Sequence, residues 1–291
     1  MVSIRSLTVV IVSHPPTAGA RASWDSEAVT ELIVPRRFCG PPDSGNGGWT
    51  AGALAVLDDA DAPDDHCSTW PPIEVSLRQP PPLDTPLDVT IEAGTTTASF
   101  GGAPIATAHR VDRTLAEVEP VDPETAAAAE SSYPGHTFHP FPTCFACGTA
   151  REDADGLRIF PGRVGEGPDG HRVAAPWTPH PSLHEDWHTY ADETPRASVA
   201  ATWAALDCIG GWAGDLTERL MVLGRMTARI DDLPVIGEPH VVVGEGRGRD
   251  GRKTFTASTL YDADGRVVAT AEHTWVAVDP ALFGGRTPAT D

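Results

Sequence analysis

Apolar and polar residues alternate with a period of two along much of the chain, as they do in half-buried antiparallel strands. In the N-terminal half this pattern predicts five strands. They span residues 30–35, 73–78, 87–93, 95–100 and 105–111. Gly101 and Gly102 between the last two strands are typical of a tight hairpin turn.

The same alternation returns in the C-terminal half. It predicts strands at residues 157–164, 171–176, 221–230, 240–246, 254–261 and 267–278. A glycine-rich turn joins the first two of these strands, and Asp262 to Gly265 form a turn between the last two.

Two segments follow a helical pattern instead, at residues 47–57 and 197–212. Val199, Trp203, Leu206 and Ile209 in the second segment keep a helical period. Both segments are rich in Gly and Ala, which favours a helix enclosed by a sheet over one with a polar outer face.

Short stretches of the two halves also resemble each other. Residues 86–94 are similar to residues 239–246, and Ile105-Ala106-Thr107-Ala108 is similar to Val268-Ala269-Thr270-Ala271. Each set of strands follows one small-residue helix, at a repeat length well above that of solenoid proteins. The sequence therefore predicts an α+β protein in which an antiparallel sheet wraps around one central helix, twice over.

We expect five regions along the chain: an N-terminal extension (1–24), a first domain (25–130), a linker (131–165), a second domain (166–281) and a C-terminal tail (282–291). The duplication further predicts that the two domains pack sheet to sheet with their helices paired.

The composition excludes some classes of binding partner. The formal net charge of −20 opposes binding to nucleic acid phosphates and to anionic membranes. No apolar stretch approaches the length of a membrane span. The five cysteines are odd in number and include one close pair, so a disulfide framework is not indicated and a reducing cytoplasm is expected.

The order of elements, with three short motifs, resembles the double hotdog fold of the acyl-CoA thioesterase superfamily over about residues 25–281. Gly47-Gly48 looks like the glycine pair that opens the first helix of those enzymes, and Leu206-Asp207 looks like their leucine-aspartate, in which the aspartate is catalytic. Residues 270–273 look like their last strand, although His273 stands where the family typically has glutamine. The resemblance implies two fused hotdog domains and cleavage of an acyl thioester.

Thioester cleavage needs a polarised carbonyl group and an activated water. The N-terminus of the first helix, with Gly47 and Gly48, could supply the first, and Asp207 could act as the general base. Thr256 or His273 would orient the water. The alternatives are close helix packing for the glycines and a structural role for the histidine.

Two further sets of residues are candidates for substrate binding. Asn46 precedes the first glycine pair, and Gly210-Gly211 form a second pair in the other helix. Arg252 and Lys253 belong to a basic, glycine-rich hairpin that could bind the phosphates of coenzyme A. A solvated turn is the simpler interpretation of that hairpin.

Cys144 and Cys147 form a C-x2-C motif, preceded by His136 and His139. Two thiolates and two imidazoles could bind a structural zinc ion in the linker. A reduced, packed pair of thiols is the alternative.

His184-Glu185-Asp186-Trp187-His188 matches the H-E-x-x-H pattern of zinc metalloproteases. That pattern requires a long helix, whereas Pro181 and Pro195 bracket the segment. A metalloprotease is therefore only a remote alternative.

The sequence thus predicts a cytoplasmic protein that hydrolyses an acyl thioester, with no cofactor required for catalysis, and that could form a homodimer. Two alternatives stay open. One is a lyase or cyclase that moves a proton on an acyl or polyketide-type intermediate. The other is a non-catalytic protein that binds an acyl or aromatic ligand.

Overall fold

The computed structural model describes residues 30–58, 69–184 and 194–283, which form one antiparallel sheet of eleven strands and three α-helices. The strands of the N-terminal half are β1 (Thr30–Ile33), β2 (Trp70–Leu77), β3 (Pro86–Glu92), β4 (Thr95–Phe100) and β5 (Ala103–Arg110). The later strands are β6 (Gly162–Gly167), β7 (Gly170–Trp177), β8 (Met221–Ile230), β9 (His240–Asp250), β10 (Lys253–Tyr261) and β11 (Val267–Ala277). The helices are α1 (Gly47–Asp58), α2 (Pro123–Glu130) and α3 (Val199–Ala213).

The two halves of the chain meet edge to edge in this sheet. β2 pairs with β8, and Ile73 lies opposite Ala228. The expected sheet-to-sheet packing of the halves is therefore wrong. Each of these strands would otherwise leave a row of backbone N–H and C=O groups unpaired, and pairing them satisfies both rows.

Strand order is mirrored about the β2–β8 junction. It runs outward as β2-β5-β4-β3-β1 on one side and as β8-β11-β10-β9-β7, then β6, on the other. The repeated Ile105–Ala108 and Val268–Ala271 segments lie in β5 and β11, each one strand from the junction. The other repeated pair lies in β3 and β9, each three strands from it.

Helices α1 and α3 pack against each other and against the sheet. All 15 residues of α3 are buried, as its small-residue composition predicts for an enclosed helix. The helices cross closely where α1 has glycine. A Cβ atom at Gly52 would lie 2.8 Å from the Cα of Ala200.

The expected strand at residues 157–164 begins only at Gly162. The preceding residues bond instead to the segment that holds the cysteine pair, with Leu157 N donating to Phe145 O and Ile159 N to Ala146 O, at 2.8 and 3.0 Å. Phe145 is completely buried and stacks edge-on against Phe38. The cysteine segment is thus part of the common hydrophobic core.

In the described parts of the chain, no helix is both long and apolar enough to cross a membrane.

Candidate active site

The buried carboxylate of Asp207 lies where α3 crosses the N-terminus of α1. Its Oδ2 atom accepts hydrogen bonds from the backbone N–H of Gly48 at 2.9 Å and from Asn46 Nδ2 at 3.1 Å. The other oxygen, Oδ1, is buried and has no hydrogen-bond partner among the described residues. One oxygen is therefore held in place while the other keeps its lone pairs free.

Burial raises the pKa of Asp207 to about 7, because a carboxylate loses its hydration inside the protein. The hydrogen bonds from Gly48 and Asn46 act in the opposite direction and stabilise the charged form. The positive N-terminal end of α1 also favours a negative charge at this place.

Asn46 connects this carboxylate to the start of α1. Its Oδ1 atom accepts a hydrogen bond from the N–H of Trp49 at 2.8 Å, which caps the first turn of the helix. Its Nδ2 group is thereby directed to Asp207. Gly47 follows Asn46 in the chain, is the first residue of α1 and is partly exposed.

A cavity of about 310 Å³ opens next to Asp207, Asn46 and Gly47. Its walls are mostly apolar and come from both halves of the chain. They include Leu77, Leu216, Met221, Leu223 and Trp275. A concave, apolar site with a few converging polar groups is the usual form of a small-molecule site.

Thr256 and His273 form a separate buried pair on β10 and β11. Thr256 Oγ1 lies 3.2 Å from His273 Nδ1 and accepts a hydrogen bond from Trp275 Nε1 at 3.1 Å. Burial lowers the pKa of His273 to about 4, so the ring is neutral at neutral pH. Neither residue lines the cavity beside Asp207. Their expected role in orienting water stays a prediction.

Gly210 and Gly211 face the sheet. A Cβ atom at Gly210 would lie 2.7 Å from both Thr256 Oγ1 and His273 Nδ1, and one at Gly211 would lie 3.0 Å from Trp275. The absence of side chains lets α3 approach these strands closely. The cavity beside Asp207 is not lined by either glycine, and substrate binding by them stays a prediction.

Three buried cysteines meet at the wall of the same cavity. The sulfur atoms of Cys144, Cys147 and Cys208 all lie within 4.8 Å of one another, and those of Cys144 and Cys208 are 3.6 Å apart. Sequence analysis missed Cys208, which is 64 residues from Cys144. Cys208 directly follows Asp207 in the sequence, but this position identifies it as a site residue only when the orientation of α3 is known.

The two histidines expected near the cysteines differ in position. His139 is buried, with Nε2 3.3 Å from the sulfur of Cys147 and Nδ1 accepting a hydrogen bond from Phe141 N. His136 is exposed and packs against Tyr133 and Phe160. The structure therefore does not bring His136 to the sulfur atoms.

The remaining candidates lie apart from the cavity. Arg252 and Lys253 are exposed at the β9–β10 hairpin, where Arg252 donates to the carbonyl of Ala277. His184 has an extended backbone and pairs with Ala197, whereas the H-E-x-x-H pattern needs a helix. Glu185 and His188 lie outside the described residues.

No protein-family model matches the sequence, and no curated protein matches it. Solved structures do match in three dimensions. A putative thioesterase from Novosphingobium aromaticivorans is 15% identical, with a TM-score of 0.56 over 86% of this chain and 96% of that chain. A tesB protein from Mycobacterium avium subsp. paratuberculosis is 13% identical, with a TM-score of 0.55 over 86% and 93%.

A protein from Alicyclobacillus acidocaldarius that is described as having a hotdog fold also matches, with 12% identity and a TM-score of 0.51 over 89% of this chain and 96% of that chain. At this level of identity the likeness concerns the fold. The chain therefore has the hotdog fold, as the sequence predicted.

Proposed function

We propose that this chain consists of two fused hotdog units and hydrolyses an acyl thioester in the cavity beside Asp207. The mirrored strand order and the repeated segments at equal distances from the β2–β8 junction support two fused units. The structural neighbour from Novosphingobium aromaticivorans, which is described as a thioesterase, supports the reaction class. The observation that carries the proposal is the buried carboxylate of Asp207, a residue that lines an apolar cavity. One of its oxygens is held by hydrogen bonds, and the other has no partner among the described residues.

In the proposed reaction, Asp207 Oδ1 takes a proton from a water molecule. The water oxygen attacks the thioester carbonyl carbon. The C–S bond then breaks and the proton passes from Asp207 to the leaving sulfur, which releases a thiol and a carboxylic acid and restores the carboxylate. Gly48 N–H already donates to Asp207, so Gly47 N–H at the first turn of α1 is the backbone donor for the carbonyl oxygen. The apolar walls hold the acyl group.

Free thiol is the product that distinguishes this reaction from the alternatives. We would incubate the protein with straight-chain and aromatic acyl-CoA esters and quantify free coenzyme A by chromatography. Asp207→Asn keeps the shape of the side chain and removes the base, so turnover should fall about 100-fold. Asp153→Asn is the matched control because that side chain is 95% exposed, and it should leave the rate unchanged.

Hydrolysis by Asp207→Asn at the wild-type rate would contradict the role of this residue. Consumption of an ester without free coenzyme A would indicate a lyase or cyclase instead. Binding of the esters without any turnover would indicate a ligand-binding protein.

A further inference from the structure

The cysteine group at the cavity wall joins two distant parts of the chain. Cys144 and Cys147 belong to the loop before β6, whereas Cys208 lies on α3 directly after Asp207. We infer that Cys144, Cys147 and Cys208 bind one zinc ion, with the fourth coordination position open to the cavity.

The spacing of the sulfur atoms fits this ion. Zinc binds thiolate sulfur at about 2.3 Å in tetrahedral geometry, which places two sulfur ligands about 3.8 Å apart. Cys144 and Cys208 are 3.6 Å apart at sulfur, and all three sulfur atoms lie within 4.8 Å of one another. Small side-chain rotations therefore complete the geometry.

The cysteine loop is a tight turn with backbone hydrogen bonds at both ends. Cys144 N donates to Phe141 O at 2.9 Å, and Gly148 N donates to Cys144 O at 2.9 Å. Any Cβ atom at Gly148 would lie 2.5 Å from the carbonyl oxygens of both Cys144 and Pro142. This turn therefore requires glycine directly after the second cysteine.

Two side chains with N–H groups lie beside the sulfur atoms, as expected for thiolates. Asn46 Nδ2 lies 3.7 Å from Cys144 Sγ and 3.8 Å from Cys208 Sγ. Because His139 Nδ1 accepts from Phe141, its Nε2 carries the proton, and this N–H lies 3.1 Å from the carbonyl oxygen and 3.3 Å from the sulfur of Cys147. Donors around the ligands orient metal-bound side chains and stabilise their negative charge.

This arrangement changes the ligand set expected from sequence. Cys208 replaces His136, which is exposed. His139 lies beside Cys147, with Nε2 close to both its carbonyl oxygen and its sulfur, and does not bind the ion itself. The cavity is lined by all three cysteines, so the fourth position is open to a water molecule or to a ligand in the cavity. Zinc sites with three protein ligands and one open position are those that bind exchangeable ligands.

The test measures metal directly. Protein expressed in zinc-containing medium and dialysed under reducing conditions should contain about one zinc per chain by elemental mass spectrometry. Cys208→Ser should lose at least nine-tenths of it, on the order expected when one of three ligands is removed. Cys39→Ser is the matched control, because Cys39 is buried nearby but bonds to Arg151 and Thr143. It should keep the metal, as should Asp207→Asn.

A second measurement uses the wild-type protein and so does not depend on how the variant folds. Cobalt added in place of zinc should give the sulfur-to-cobalt charge-transfer bands and the visible bands of a tetrahedral thiolate site. Metal-free wild-type protein after zinc-replete expression, full metal content in Cys208→Ser, or a disulfide between Cys144 and Cys208 in non-reduced peptides would each overturn the inference. These readouts do not depend on thioester hydrolysis.

Discussion

Gly48 and Gly210 both lie at close approaches of a helix to its neighbours, but the neighbours differ. A Cβ atom at Gly48 would lie 2.4 Å from the Cβ of Asp207 and 2.7 Å from the carbonyl oxygen of Trp203. The three atoms nearest to a Cβ atom at Gly210 all belong to the side chains of Thr256 and His273, with Thr256 Oγ1 and His273 Nδ1 at 2.7 Å. Backbone atoms cannot move away without moving the helix, whereas the side chains of Thr256 and His273 can change their torsion angles. The crossing of α1 and α3 therefore determines where Asp207 lies, and the contact of α3 with the sheet is more tolerant.

Gly48→Ala should have the largest effect on stability in this comparison. The new methyl group overlaps atoms of α3 that cannot move without separating the helices, and overpacking of this kind costs about 3 kcal/mol. The free energy of unfolding, measured in urea, tests this. Thioester turnover should fall as well, because Gly48 N–H would no longer hold Asp207 Oδ2.

Gly165→Ala is the control for this change. Apart from its two chain neighbours, no described residue has an atom within 4 Å of a Cβ added there. It should alter the free energy of unfolding by less than about 0.5 kcal/mol. An equally small effect of Gly48→Ala would show that α1 and α3 are not held at this crossing.

The next largest expected effect is a change in the free energy of unfolding with pH, and it comes from His273 in the Thr256–His273 pair. Burial lowers the pKa of His273 to about 4, compared with about 6.5 in the unfolded chain. Between these values the unfolded state binds more protons, so stability falls as pH drops through that window. At pH 5 this single group should lower the free energy of unfolding by about 2 kcal/mol relative to pH 8.

His273→Gln should therefore reduce the loss of stability between pH 8 and pH 5 by about 2 kcal/mol. His139 and His240, whose pKa burial also lowers, add a loss of the same sign, whereas the raised pKa of Asp207 adds stability as the pH falls. The difference between variant and wild type therefore isolates His273. His136→Gln, at an exposed position, is the control and should leave the loss unchanged. An unchanged loss in His273→Gln would mean that His273 becomes protonated in the folded protein.

The fold was accessible from sequence because period-two alternation marks strands directly. β4 and β8 have the predicted bounds, and α1 differs from the prediction by one residue at its end. Residues 157–161 were assigned wrongly to a strand because apolar residues there bury themselves against the cysteine loop, not within a sheet. A local pattern of apolar residues indicates that a segment is buried, but it does not show which part of the chain covers the segment.

The candidate site could be predicted from the sequence only in part, for a related reason. α3 is buried on every side, so its sequence does not show which residues face the cavity and which face the sheet. Asp207 stood out as an acid among apolar residues, but Cys208 and Gly210 could not be assigned to opposite surroundings. Only the three-dimensional arrangement separates the cavity side, with Asp207, from the sheet side, with Thr256 and His273.

Gly210→Ala should have the smallest effect and tests that separation. The added methyl group displaces Thr256 and His273, and Ala favours the helix over Gly by roughly 1 kcal/mol, so the net loss of stability should be only about 1 kcal/mol. Turnover of acyl-CoA esters, measured as free coenzyme A, should stay within about threefold of the wild type, less than the change of 10²-fold or more that loss of a general base causes. A fall comparable with that of Asp207→Asn, in protein that stays folded, would mean that the Thr256–His273 pair acts in the proton transfer. The cavity beside Asp207 would then be only part of the active site.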